Sequence, residues 1–275
     1  MLNELNNFVY VNHLGQRFEG MANGMYLNHS DILNYSWNYD VLNNRISRFY
    51  RTIGNKKLPI VVIGKTDAEA IAAKNRLFEI AEVDVLANLP GKIYVGEYYI
   101  SGFVTASEKK KYLYHKRHST IDLTFTSNDP TWYLERTYSF FPTANDTSGG
   151  VDYPHDYPHD YALSLNGRKI VVDSIEESAF RLLIYGEATN PTISIGGHNY
   201  TVTGTIGNGE TLLIDGLSKK ITLTSRGKKT NWFDKRGRED YIFEPLPEGI
   251  STVTWNGSFG FDLTVIEKRS EPKWI

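Results

Sequence analysis

Any chemistry in this chain has to come from a small set of residues. His155 and His159 lie four apart with Asp152, Asp156 and Asp160 beside them, inside a tandem Asp-Tyr-Pro-His repeat that ends at Tyr161. On a helix, histidines at i and i+4 share a face and can hold one metal ion. Pro154 and Pro158 remove that helix, because proline lacks a backbone donor and drives the residue before it into extended backbone. The imidazoles therefore do not converge, and the stretch reads as a linker, solvated or packed between subunits. Glu239-Asp240 follows Lys235-Arg236-Gly237-Arg238. Adjacent acids beside bases read as surface charge, whereas a glycosidase needs two carboxylates set apart across a cleft. The sequence has no Gly-x-Ser-x-Gly elbow, no His-Glu-x-x-His helix and no phosphate-cradling glycine loop. The expectation is a protein that is not an enzyme, with no metal and no cofactor.

Binding chemistry is the other candidate. Trp232, Trp255 and Trp274 are flat apolar faces of the kind that stack on sugars. Trp255 leads into an alternating core-facing strand, so it reads as core. Trp232 is the better platform, and Asn231, Asp234 and Arg236 beside it are the candidate polar contacts to a glycan or a partner. The same residues, between two lysine- and arginine-rich runs, also read as a mobile charged loop facing a protein. From Glu108 to His118 basic residues interleave with Tyr112 and Tyr114, a pattern seen in nucleic-acid binders. One short basic run in a chain of formal net charge −2 is a weak footprint. No sequence-specific nucleic-acid binding is expected, and the run reads as a solvated hairpin or an oligomer contact.

The elements that would position these groups are mostly strands. The chain has 275 residues, 40% hydrophobic and 23% charged, with no cysteine. That length suggests two domains. Without cysteine there are no disulfides, so stability has to come from packing or assembly. No run approaches the ~18 apolar residues of a membrane-spanning helix, and the N-terminus lacks the pattern of a signal peptide. Synthesis in a cytoplasm, with no membrane partner, is expected. Eighteen tyrosines suit sheets and interfaces.

One helix stands out. Thr66 and Glu69 form a capping-box pattern, and Ala70, Ala73, Leu77 and Ile80 follow at helical spacing. This predicts a helix over 67–81, with Leu77 and Ile80 in its core face. Leu58 to Ile63 before it reads as a buried strand. Residues 92–95, 98–105 and 119–126 read as strands after it, the last with Ile121, Leu123 and Phe125 on one face. Residues 24–27 and 36–40 are weaker strands. The C-terminal half is almost purely β, with short runs at 180–185, 192–195, 199–203, 211–214, 220–224, 241–243, 251–255 and 258–267. Asn256-Gly257 reads as a two-residue hairpin turn. Phe259, Phe261, Leu263 and Val265 form an inward face. The pattern favours a β-sandwich.

Taken in order, these features resemble a family. The strand 58–63, the helix capped at Thr66 and the stretch Asn128-Asp129-Pro130-Thr131-Trp132-Tyr133 come first. Asn190-Pro191-Thr192-Ile193-Ser194-Ile195, Leu213-Ile214-Asp215, Asn231-Trp232 and Glu271-Pro272-Lys273-Trp274 follow. Over its whole length the chain resembles the distal tail proteins of long, flexible-tailed phages. The resemblance implies a mainly β fold with one helix: an N-terminal α+β ring-forming domain and a C-terminal galectin-like sandwich. On this reading residues 1–135 form the first domain, 136–164 an extended connector and 165–275 the second. It also implies a structural hub at the tail tip of the virion, made in the host bacterial cytoplasm. The hub would be a homo-hexameric ring contacting the tail-tube protein, the tail-tip protein and receptor-binding proteins. Some family members carry inserted carbohydrate-binding modules, and this chain has no insertion long enough to be one. The alternative is a carbohydrate-binding sandwich that contacts host cell-wall glycan.

Overall fold

A computed structural model describes residues 7–28, 30–110, 117–142 and 168–273. The chain divides into two compact units, Met1–Leu134 with Lys268–Ile275, and Glu135–Glu267. The first division falls one residue from the expected end of the N-terminal domain, whereas the division after Glu267 was not expected. The closing segment after Glu267, assigned by sequence to the sandwich, belongs with the first unit. The expected connector begins late, because residues up to Phe140 are strand. Its remainder, with the Asp-Tyr-Pro-His repeat, lies outside the described residues, as do Tyr112, Tyr114 and Trp274.

The first unit holds strands β1 (Val9–Val11), β2 (Arg17–Glu19), β3 (Met25–Leu27), β4 (Asn38–Leu42), β5 (Arg45–Tyr50) and β6 (Gly54–Ile63). After helix α1 (Asp67–Ala87) come β7 (Gly91–Val95), β8 (Tyr98–Lys110), β9 (His118–Ser127) and the start of β10 (Trp132–Phe140), a strand that belongs to the second unit from Glu135 on. β8 does two jobs. Tyr98 to Gly102 pair with β7, and beyond Phe103 the strand pairs with β9, with a bulge between Val104 and Ala106. One branch then runs β8-β7-β1-β2 and the other β8-β9-β6-β3. β9 alternates as its sequence dictates, with Ile121, Leu123 and Phe125 buried and Asp122 and Thr124 between them half-buried. β6 is buried on one face. Leu58, Ile60 and Val62 point inward, while Lys57 and Ile63 are exposed, because the strand covers the core from one side only.

Helix α1 begins as predicted, with the Thr66 hydroxyl accepting from the Glu69 amide at 3.2 Å. It ends at Ala87 instead of 81, where Asn88 takes the left-handed conformation (φ 53°) and donates to Asp84 and Val85 carbonyls. The inward stripe is Ala70, Ala73, Leu77, Ile80, Ala81 and Asp84. A carboxylate where the next apolar residue belongs is what makes the helix look shorter in sequence.

The second unit is a sandwich. Its strands are β11 (Arg168–Val172), β12 (Ala179–Tyr185), β13 (Ala188–Thr189), β14 (Thr192–Ile195), β15 (His198–Thr201) and β16 (Thr205–Ile206), then β17 (Thr211–Asp215), β18 (Lys220–Ser225), β19 (Lys228–Asn231), β20 (Gly249–Trp255) and β21 (Gly260–Arg269). One sheet runs β19-β18-β17-β12-β21-β10 and the other β11-β20-β14-β15. Phe180, Leu182, Ile184, Leu212, Ile214, Phe261 and Leu263 of the first sheet share one core with Ile193, Ile195 and Val253 of the second. Phe140 completes it, stacked on Phe261 at 4.6 Å and edge-on to Trp255 at 5.6 Å. Asn256-Gly257 is not the hairpin its sequence suggests. β20 pairs with β11 and β14, while β21 pairs with β12. The turn instead carries the chain from one sheet to the other, and only Gly257 has positive φ (76°). Residues 241–243 are a turn and not a strand, yet Ile242 and Phe243 are buried.

Candidate interaction surface

The feature of the first unit with the clearest functional content is the β4–β5 hairpin. Asn43 (φ 49°) and Asn44 (φ 63°) both sit in the left-handed region, and Leu42 pairs with Arg45 across them. That is the two-residue turn whose twist matches paired strands, and asparagine tolerates it. Among the described residues β4 and β5 pair only with each other. Every residue from Asn38 to Phe49 is exposed. Tyr39, Val41, Leu42, Ile46 and Phe49 stand 52 to 66% open to solvent, with Arg45 and Arg48 among them. Tyr39 meets Phe49 edge-on at 6.4 Å and Arg48 lies over Tyr50 at 5.7 Å. A lone two-stranded ribbon is marginally stable in water at best. An exposed apolar ribbon of this kind marks a contact surface.

Sequence reasoning assigned only a weak strand at 36–40 and missed the partner strand. The signal was present in Val41-Leu42-Asn43-Asn44-Arg45-Ile46: two residues tolerant of positive φ, flanked by strand-formers.

The sequence-predicted contact residues sit in the second unit, and they do not form an open platform. Trp232 is partly buried against the sandwich core. Gly204 packs so closely on its ring that a Cβ there would lie 3.0 Å from the indole. Asn231 spends its side-chain oxygen on the Phe233 amide at 2.9 Å. Arg236 folds back, donating to the Phe233 carbonyl at 2.9 Å with its guanidinium 4.2 Å from the Phe233 ring. Asp234 is exposed on the same short turn. Backbone hydrogen bonds tie the loop to the sandwich. Thr203 donates to the Lys235 carbonyl at 2.6 Å and Gly237 to the Thr201 carbonyl at 2.7 Å. Leu77 and Ile80 lie in the core of the first unit, 1% and 5% exposed.

The basic run before His118 is engaged where it is described. Lys110 pairs with Asp122, Lys109 lies 4.9 Å from the Phe78 ring, and Arg117 reaches Asp67 at 3.4 Å. Glu239 is exposed and Asp240 half-buried. Among the described residues no group of three or more His, Asp or Glu could hold a metal ion, and no helix is long and apolar enough to cross a membrane.

One polar constellation was not foreseen. Asp84 is fully buried and accepts from the Tyr10 hydroxyl at 2.5 Å and the His13 amide at 2.9 Å, with the His13 Nδ1 at 2.6 Å. It resembles the base-and-orienter pair of a catalytic triad, without a nucleophile. Burial, and then the hydrogen bond to and charge of Asp84, push the Tyr10 phenol far above its ordinary pKa, so it stays a donor. The cluster is a strut tying β1 and the turn after it to the end of α1.

No family model matches the chain, and no curated protein matches it in sequence. Solved structures do. The chain's architecture recurs in them. It superimposes on the Dit protein (gp 19.1) of phage SPP1, described as a hub of the adsorption apparatus in phages infecting Gram-positive bacteria. The TM-score is 0.55 at 10% identity, over 95% of this chain and 99% of that one. A chain of the phage P2 baseplate in its activated conformation, in calcium and strontium forms, matches with TM-score 0.60 at 11% identity. That match covers 97% of this chain and 99% of the other. The protein has a Dit-like fold, mainly β with one helix, over nearly its whole length.

Proposed function

We propose that this protein is a structural, non-catalytic hub of a phage tail tip. Copies of the chain close into a hexameric ring that joins the tail tube to the tail-tip and receptor-binding proteins. It is made in the host bacterial cytoplasm and ends in the virion. The observation that carries this reading is the exposed β4–β5 ribbon on a full-length Dit-like fold. A second copy of the chain is its natural cover, because one heterologous contact repeated around an axis closes a ring. Each of its large apolar side chains gains about 1.5–3 kcal/mol when fully buried. The seat of Trp232 gives no support to glycan binding by the sandwich.

Leu42→Glu with Phe49→Ser tests this. Both side chains are exposed in the single chain, so the folded chain should melt within a few degrees of wild type. Its solution mass should fall to that of a single chain. Unchanged assembly by the double variant would show that the ribbon is not the ring contact.

A further inference from the structure

At the base of the ribbon a cavity of about 440 Å³ is lined by Asp31, Asn34, Ser36, Asn38, Arg51, Thr52, Asn55 and Lys56 among others. Its floor is cationic. Lys56 is 8% exposed, and its ammonium donates to the Asn34 carbonyl. An ammonium carries three donors, so one carbonyl leaves most of its hydrogen-bonding capacity unused. Arg51 is half-buried and bonds two neutral hydroxyls, Thr131 at 2.7 Å and Ser270 at 2.5 Å. Its Nε is buried without a partner, and its guanidinium lies 4.1 Å from the Trp37 ring. Neither cation has a carboxylate within ion-pair distance among the described residues. The one lining carboxylate, Asp31, is exposed. Burial lowers the Lys56 pKa, Asp31 opposes that and Arg51 adds to it. The two cations thus destabilise each other in a partly dehydrated site.

Buried charges are normally paired, and a desolvated cation without an anion is costly. The cavity is far larger than its two cationic groups need, and its walls carry amides and hydroxyls suited to the flanks of a polar ligand. We propose that this cavity is an oxyanion site, taking a carboxylate or phosphate group onto Lys56 and Arg51. The same chemistry could arrive as a free anion or as an acidic side chain of a neighbouring chain in an assembly.

The test is thermal melting of the full-length chain against citrate and inorganic phosphate, with chloride at matched ionic strength as control. The wild-type assembly is measured beside the single chains of the Leu42→Glu, Phe49→Ser variant. The expected result is a saturable rise in Tm that chloride does not give, of about 5 °C at a hundredfold excess over Kd. Lys56→Met, close in shape, should weaken the response about tenfold, while Lys57→Met at the exposed neighbouring position should not. Asp31→Asn should strengthen it, by removing the competing charge. This opposite sign keeps the test informative if the Lys56 variant folds poorly. A response in both samples assigns the site to free anions, and a response in single chains alone assigns it to a neighbour's acidic side chain. No oxyanion-specific response in either sample, or equal responses from wild type and Lys56→Met, would overturn the proposal.

Discussion

Asp84→Ala is the most informative single perturbation of the first unit. The carboxylate is fully buried and satisfies the Tyr10 hydroxyl, the His13 amide and the His13 imidazole. Alanine leaves those donors without an acceptor in a space too tight to rearrange, since a Cβ at Gly91 would collide with both Asp84 and Tyr10. A buried donor left unpaired costs about 1–3 kcal/mol. Non-additivity within one network brings the expected total for Asp84→Ala to about 3–5 kcal/mol. Asp84→Asn should cost less, about 1–2 kcal/mol. Its oxygen can still serve His13 and its amide can donate to a rotated Tyr10 hydroxyl. Tyr10→Phe should be mild alone and nearly free of further cost on top of Asp84→Ala, because the partner is already gone. Urea unfolding of the four proteins measures the cycle. An Asp84→Ala variant within about 0.5 kcal/mol of wild type, the range of an ordinary surface change, would refute the strut.

The remaining predictions concern the second unit. Phe140→Ala should destabilise the sandwich by about 3–5 kcal/mol. For the same reason a fragment of residues 135–267 should melt cooperatively and well above one of residues 165–267, and equal melting temperatures would contradict the role of β10. Glu210 is held below the ordinary Glu pKa, first by a Ser225 side-chain hydrogen bond and then by the Gly207 amide. Its folded pKa is depressed, so its contribution is present above the unfolded pKa and lost as pH falls through the folded one. Glu210→Gln should therefore flatten the acid limb of the stability curve, and an unchanged limb would count against this account. Trp232→Ala should destabilise the sandwich by about 2–4 kcal/mol, and a cell-wall polysaccharide screen should find no binding tighter than about millimolar. Tighter binding lost in that variant would revive the glycan reading.

Much of the fold was legible because burial writes itself into periodicity. Thr66 with Glu69, and the alternation of Ile121, Leu123 and Phe125, each have one physical reading. So does the inward face Phe259, Phe261, Leu263 and Val265, all of it buried. Failures came where local signals serve a non-local purpose. Asn256-Gly257 looks like a hairpin because local chemistry specifies a turn, while which sheet each strand joins is decided by partners far along the chain. Asp84 hid the last turns of α1 because a carboxylate on an apolar stripe makes sense only once Tyr10 and His13 are beside it. The β4–β5 ribbon escaped because its apolar residues line no core in this chain, so they lack the inside-outside contrast that periodicity reports. Trp232 was placed on the surface from its polar neighbours. Those neighbours spend their polar groups on the backbone of the turn, and the indole packs inward.

The central claim is that this chain is a ring-forming hub, and the mass of the intact protein in solution tests it most directly. Light scattering across a concentration series should report a single closed species at a fixed multiple of the 31.3 kDa chain, sixfold in the hexameric ring. A species that stays at the single-chain mass at the highest concentration reached would contradict the account.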